Sequence, residues 1–178
     1  FFLYGELLAQ RKQNIKALKY YELAAFDNEQ ILHKEASYAA IVLAGALYDS
    51  NGEDSYLEKN ITYTKRFSQQ YPQDKRTTQV SLHAAEQAHD AKLYSDAIEL
   101  ADLALVNSSV KSALQAQQIK ASAYFILEEY QEAESLYSKL LASKSITQKR
   151  RSEFYNNLAL SIYQQGVAAN ANKDTSRA

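Results

Sequence analysis

Residues 118–141 read QIKASAYFILEEYQEAESLYSKLL. Ala121, Tyr124, Tyr130, Ala133, Tyr137 and Leu140 keep helical spacing on either side of a break at Glu128–Tyr130. Small and apolar side chains at i, i+3 and i+4 give each half one helix face, so the stretch reads as two short helices and a turn. The same grammar stands earlier as Ala85, Ala88, Tyr94, Ala97, Ala101 and Ala104, and at the start as Gly5, Leu8, Asn14, Ala17, Tyr21 and Ala24. In all three copies the first small residue precedes the second by 12 positions, as 121 precedes 133. An internal repeat of this kind implies stacked units, none of which can bury its apolar face alone.

The rest of the chain is read outward from these copies. A helix is expected over about 1–12, with Phe1, Tyr4, Gly5, Leu8 and Ala9 on one face, and its partner runs to about Phe26. A longer helix follows over roughly 29–49, with Ala36, Ala40, Ile41, Ala44, Gly45 and Tyr48 inward. Ser50-Asn51-Gly52 is the clearest break. The next helix, about 54–71, ends at Tyr71-Pro72, because proline disfavours helical geometry in the residue before it. This pair is the least regular, with Asn60 where alanine is expected. Further helices are expected over about 74–91, 94–106, 112–127, 130–143 and 148–165, with Gly166 at a turn.

Composition bounds the class. Apolar residues make up 46% and charged residues 23%, the profile of a folded chain. Four glycines and one proline leave little punctuation for strands and tight turns, which favours helices. A net charge of −1 provides no overall field for nucleic acid or an anionic membrane. No apolar run approaches the roughly 18 residues of a membrane span. With no cysteine, disulfides and thiolate sites are excluded. The chain opens at Phe1 without methionine, so it is expected to be a domain of a longer protein.

The pattern resembles the tetratricopeptide repeat. Phe1, Gly5, Leu8, Ala17, Tyr21 and Ala24 match in the first unit; Ile41, Gly45, Tyr48, Phe67 and Pro72 in the second; Ala85, Tyr94, Ala97 and Ala104 in the third. Ala121, Tyr124, Tyr130, Ala133 and Tyr137 match in the fourth, and Tyr155, Leu158, Ala159, Gly166 and Ala171 in the fifth. Ala17, Asn60, Ala97 and Ala133 recur at 43, 37 and 36 residues, which marks the repeats as divergent. The resemblance implies an all-α fold, a right-handed superhelical solenoid of antiparallel helix pairs. Its units would be about 1–27, 29–72, 74–107, 111–143 and a partial 147–166, with 167–178 a frayed helix or disordered tail. A second resemblance, carried by Phe67-Ser-Gln-Gln-Tyr71-Pro72-Gln-Asp74, is to the inter-repeat junctions of bacterial envelope proteins. It implies a periplasmic or envelope location, with the cytoplasm as the alternative.

Signals for chemistry are few. Glu86-x-x-His89 has the spacing of helical di-iron sites, but those need two copies and further glutamates. No phosphate-cradling glycine loop, HExxH or nucleophile elbow occurs, so no enzyme, metal or cofactor is expected. Lys149-Arg150-Arg151 is the strongest basic cluster and reads as a solvated helix start, not a nucleic-acid site. Asn60-Ile-Thr62 and Asn107-Ser-Ser109 fit the glycosylation pattern.

The resemblance also implies a concave groove lined by the first helix of each pair. Its candidate residues are Glu6 and Gln10 in the first unit, Asp49 in the second, and Gln79, Glu86, His89 and Asp90 in the third. Gln118 and Phe125 follow in the fourth, then Asn156 and Tyr163 in the fifth. No lysine or arginine falls on these positions; the early groove reads acidic, while Phe125, Ile126, Leu160 and Tyr163 make the later part apolar. The expected partner is a protein segment of basic and hydrophobic character. The alternative function is a structural spacer or oligomerisation segment of a larger protein, with self-association through the end repeats.

Overall fold

The computed structural model describes residues 1–26 and 33–175, with side chains described to residue 170. Among the described residues every regular element is a helix. In order these are α1 (Phe2–Gln10), α2 (Asn14–Phe26), α3 (Lys34–Asn51), α4 (Asp54–Gln70), α5 (Thr77–Asp90), α6 (Tyr94–Leu105), α7 (Val110–Ile126), α8 (Tyr130–Ala142) and α9 (Gln148–Thr175). No described helix is long and apolar enough to cross a membrane.

Three of the turns share one hydrogen-bond pattern. After α1, Lys12 stands at φ 57°; its N–H donates to Ala9 O at 2.9 Å, and Gln13 N–H donates to Leu8 O at 2.9 Å. After α5, Lys92 (φ 64°) and Leu93 donate to His89 O and Ala88 O. After α7, Glu128 (φ 63°) and Glu129 donate to Phe125 O and Tyr124 O. One left-handed residue thus satisfies the last carbonyls of each helix and reverses the chain. The α3–α4 turn also uses a left-handed residue, Gly52 at φ 70°, but with a single bond from its N–H to Tyr48 O at 2.8 Å.

Repeated small residues let the helices approach. Ala17, Ala97 and Ala133 are fully buried, as are Ala85 and Ala121, twelve residues before the second and third of them. Gly5 is buried against Tyr21. Asn60, the exception among them, is also buried. Its amide donates to Gln87 Oε1, and Gln87 Nε2 donates to Gly45 O at 3.1 Å and Asp49 Oδ1 at 2.6 Å. The polar substitution is therefore satisfied within the α3–α4–α5 junction, as a buried amide must be.

The core is strung along the chain. One cluster joins α1 to α4 around Leu18, Tyr21 and Ala44. The next joins α4 to α7 around Leu57, Ala88 and Leu100, and a third joins α7 to α9 around Ala121, Tyr137 and Phe154. The extensive helix contacts all join neighbours or next neighbours in the chain, such as α5 with α6 and α5 with α7.

Three boundaries differ from the sequence reading. The helix expected from about 29 begins at Lys34, where His33 Nδ1 caps it by accepting from Ala36 N–H at 3.2 Å; residues 29–32 lie outside the described residues. α5 begins at Thr77, not 74, because Asp74 accepts from the Arg76 backbone and side chain and closes a turn ahead of the helix. The expected turn at Gly166 is absent: α9 runs through it to Thr175. A mid-helix glycine costs only about 1 kcal/mol, and the Val167-Ala168-Ala169 run that follows continues the helix. Residues 176–178, the end of the expected frayed tail, lie outside the described residues.

Candidate partner-binding groove

The alternate helices α5, α7 and α9 wall a row of adjacent cavities. A cavity of about 580 Å³ opens between the starts of α7 and α9, lined by Val110, Lys111, Leu114, Ile119, Ile146 and Arg150 among others. A second, about 530 Å³, lies between α5 and α7 and includes Lys75, Gln79, Leu82, His83 and Ser112. A third, about 310 Å³, includes His89, Asp90, Ser122, Tyr137, Glu153 and Asn157. Glu86 lines all three.

The walls are held by side-chain pairs between helices. Gln115 Nε2 donates to Glu86 Oε1 at 2.7 Å, tying α7 to α5. His89 Nε2 and Ser122 Oγ are 2.9 Å apart on the same pair of helices. Arg150 donates to Gln118 Oε1 at 2.8 Å, joining α9 to α7. Deeper in, Asn157 donates to the Tyr137 hydroxyl at 3.0 Å. Burial pushes the Tyr137 phenol above its usual range, only partly offset by the Asn157 amide, so it stays neutral.

The structure brings Gln79, Glu86, His89, Asp90 and Gln118 together along these cavities. Asp49 stands beside them, 3.3 Å from His83 Nε2. The other sequence candidates line none of the three. Glu6 accepts from the Tyr21 hydroxyl at 2.6 Å, and burial together with that bond raises the Tyr21 pKa. Gln10 is exposed at the end of α1, and Asn156 and Tyr163 are exposed on α9. Phe125 turns into the core, where it packs edge-on against Tyr130 and Tyr137.

The expectation that no lysine or arginine faces the groove is corrected by Lys75, Lys111 and Arg150. They stand just before or within the first turns of α5, α7 and α9. Mapping by helical register picked mid-helix positions, whereas long side chains at helix starts swing over the adjacent groove. The available signal was the recurrence of a cation near the start of each of these helices. The neighbouring Arg151 is engaged elsewhere, where its guanidinium donates to Leu141 O and Ser143 O at 2.7 and 2.8 Å and closes the end of α8.

Other sequence signals resolve by burial. Asn60 is 1% exposed and inaccessible to glycosylation. Asn107 is exposed, and its amide donates to Pro72 O and Gln73 Oε1. Among the described residues no three of His, Asp and Glu converge as a metal site. No family model matches this chain, and no curated protein or solved structure matches it at a significant level.

Proposed function

We propose that the chain is a right-handed solenoid of tetratricopeptide-type helix pairs that binds a segment of another protein in the α5–α7–α9 groove, without chemistry of its own. Support for the repeat comes from the shared turn at Lys12, Lys92 and Glu128 and from the buried small residues twelve apart. The observation that carries the function is the row of three cavities that share Glu86 as a lining residue, across the alternate helices α5, α7 and α9. An open trough walled by side chains from rigid helices suits an extended or helical segment. The envelope location remains part of this proposal, on the junction at 67–74.

The test is site-specific photo-crosslinking in the source cells, with the reactive side chain at Gln79 or Gln118 in the groove and at Lys139 on α8 away from it. One protein crosslinked from both groove positions, absent from Lys139 and lost with Glu86→Lys/Asp90→Lys, is the expected result. Crosslinks that ignore the charge reversal, or arise only from Lys139, would turn the reading to the alternative.

That alternative is a structural spacer. It is favoured by apolar side chains exposed at both ends of the array: Leu3 is 80% exposed on α1, and Tyr163 is 64% exposed on α9. Such faces suit packing against flanking structure or a second copy.

A further inference from the structure

The groove divides its charges, and the division narrows the ligand; this inference rests on the groove reading above. The cavity of about 580 Å³ has an apolar lining in Val110, Leu114, Ile119 and Ile146, with Lys111 and Arg150 beside it and Glu86 on the wall it shares with the other two. Lys75 lines the adjoining cavity that Lys111 shares. On the other side of Gln118 the lining turns acidic, with Asp90 and Glu153 joining Glu86.

These groove charges lack strong ionic partners, unlike the cations that tie helices together elsewhere. Lys34 pairs with Asp74, Lys59 with Glu22, Lys65 with Asp96 and Glu99, Arg76 with Glu35 and Asp74, and Lys120 with Asp102. Among the described residues Lys75, Lys111 and Arg150 form no ion pair, and Arg150 donates to the neutral Gln118 amide. Glu86 is held by neutral Gln115, Asp90 has only the His89 ring beside it at 3.8 Å, and Glu153 forms no ion pair among the described residues. Unpaired cations beside an apolar floor offer a carboxylate a charge-assisted, partly desolvated seat, and the guanidinium of Arg150 matches a carboxylate in shape.

We infer that the groove takes an extended segment of a partner protein that carries Asp or Glu beside an aliphatic residue, with Lys or Arg a few residues further on. The acidic side chain sits between Lys111 and Arg150. The aliphatic one fills the floor at Leu114 and Ile146. The basic one reaches Asp90 and Glu153. A segment with acids at both ends, or bases at both ends, sets like charges together at one of them, which supplies specificity as well as attraction.

A random-sequence peptide display library, sorted on the wild-type protein and on three variants, tests this. The variants are Lys111→Glu/Arg150→Glu, Asp90→Lys/Glu153→Lys and, as a neutral block of the shared wall, Gln118→Trp. All four charged residues are exposed, so their reversal leaves the core intact, and circular dichroism checks each variant. The wild type is expected to enrich peptides of acidic–aliphatic–basic order. A synthetic peptide of that order should bind the Lys111→Glu/Arg150→Glu protein at least about tenfold more weakly, and changing its acid to lysine should restore binding. Enrichment that Gln118→Trp abolishes but neither charge reversal alters would overturn the inference and leave the groove reading standing. No enrichment, or enrichment indifferent to Gln118→Trp, would overturn both. A fluorescent oligothymidylate that outbinds the selected peptide and is lost with Lys111→Glu/Arg150→Glu would overturn the inference in favour of a polyanion site.

Discussion

Lys92 holds a backbone conformation that L-residues avoid, at φ 64°. Left-handed geometry brings its Cβ near the following carbonyl, at roughly 1–2 kcal/mol. Glycine has no such cost but loses more freedom on folding. Lys92→Gly is therefore expected to stabilise by about 0.5–1 kcal/mol, read as a higher urea midpoint at unchanged slope. Lys92→Val should shift the midpoint the other way, since a β-branched residue is worst placed there. A lower midpoint with glycine would show that the lysine side chain contributes more than its backbone costs. Gly5 presents the converse case. A Cβ there would stand 2.7 Å from Tyr21 Cδ1, and the ring is pinned by its hydroxyl bond to Glu6. Gly5→Ala should destabilise by about 1–3 kcal/mol through overpacking, measured by the same titration. The sequence made Gly5 legible, because a small residue twelve before Ala17 completed the repeat. The left-handed turns were less legible, because lysine or glutamate occupies the place where glycine would have signalled them.

Between α4 and α5 the chain turns without glycine, held by charge. Asp74 is 7% exposed in its side chain and lies 2.6 Å from Lys34 Nζ and 2.9 Å from Arg76 Nε. Arg76 also reaches Glu35 at 2.7 Å and lies over the Tyr38 ring at 4.4 Å. The hydrogen bonds from Arg76, ahead of those from Lys34, hold the Asp74 carboxyl well below the usual carboxylate range despite its burial. A carboxyl whose pKa is lowered by folding contributes stability above its unfolded pKa of about 3.9. That contribution falls away as pH drops below this value toward the depressed folded one. Asp74→Asn should accordingly cost about 1.5–3 kcal/mol near neutral pH, the scale of hydrogen bonds to a charged group. The gap between the two proteins should narrow steadily below about pH 4. Urea titrations of both proteins at pH 7 and pH 3 check the sign; a gap that widens in acid would exclude the ionic account. Pro72 announced this junction in the sequence, but Asp74 and Arg76 set the start of α5, and their pairing depends on Lys34 and Glu35 from a helix far back in the chain. Contacts across that distance leave no periodic trace, whereas the cations over the groove escaped a register-based reading because they stand at helix starts.

Across the whole molecule, stability should be graded, because each helix leans mainly on its neighbours. The α5–α6 pair sits in the largest cluster, with Ala88, Leu100, Ala101 and Ala104 fully buried. The outer helices are covered on fewer sides. In α9 the last buried residue among those described is Ser161, and Gly166 to Asn170 are exposed. Gln165 still donates to Tyr130 O and Glu134 Oε2 on α8, but Gly166 itself faces open space. Continuation of the helix there depends on local propensity alone, and isolated helical turns are marginal in water. Native-state hydrogen exchange should follow this gradient. Amides beyond Gly166 should exchange through local fraying, largely independent of low denaturant concentrations. Those of Leu100 to Ala104 should exchange only through openings that denaturant promotes as strongly as global unfolding. Protection that is uniform from α1 to α9 would overturn the stacked-unit account, because it requires all the helices to open as one. The groove spans the boundary between the two regimes, with α5 in the protected centre and α9 toward the labile end. A ligand bridging Asp90 on α5 and Arg150 on α9 should therefore slow exchange in α9 more than in α5, and that asymmetry would locate it in the groove without any substitution.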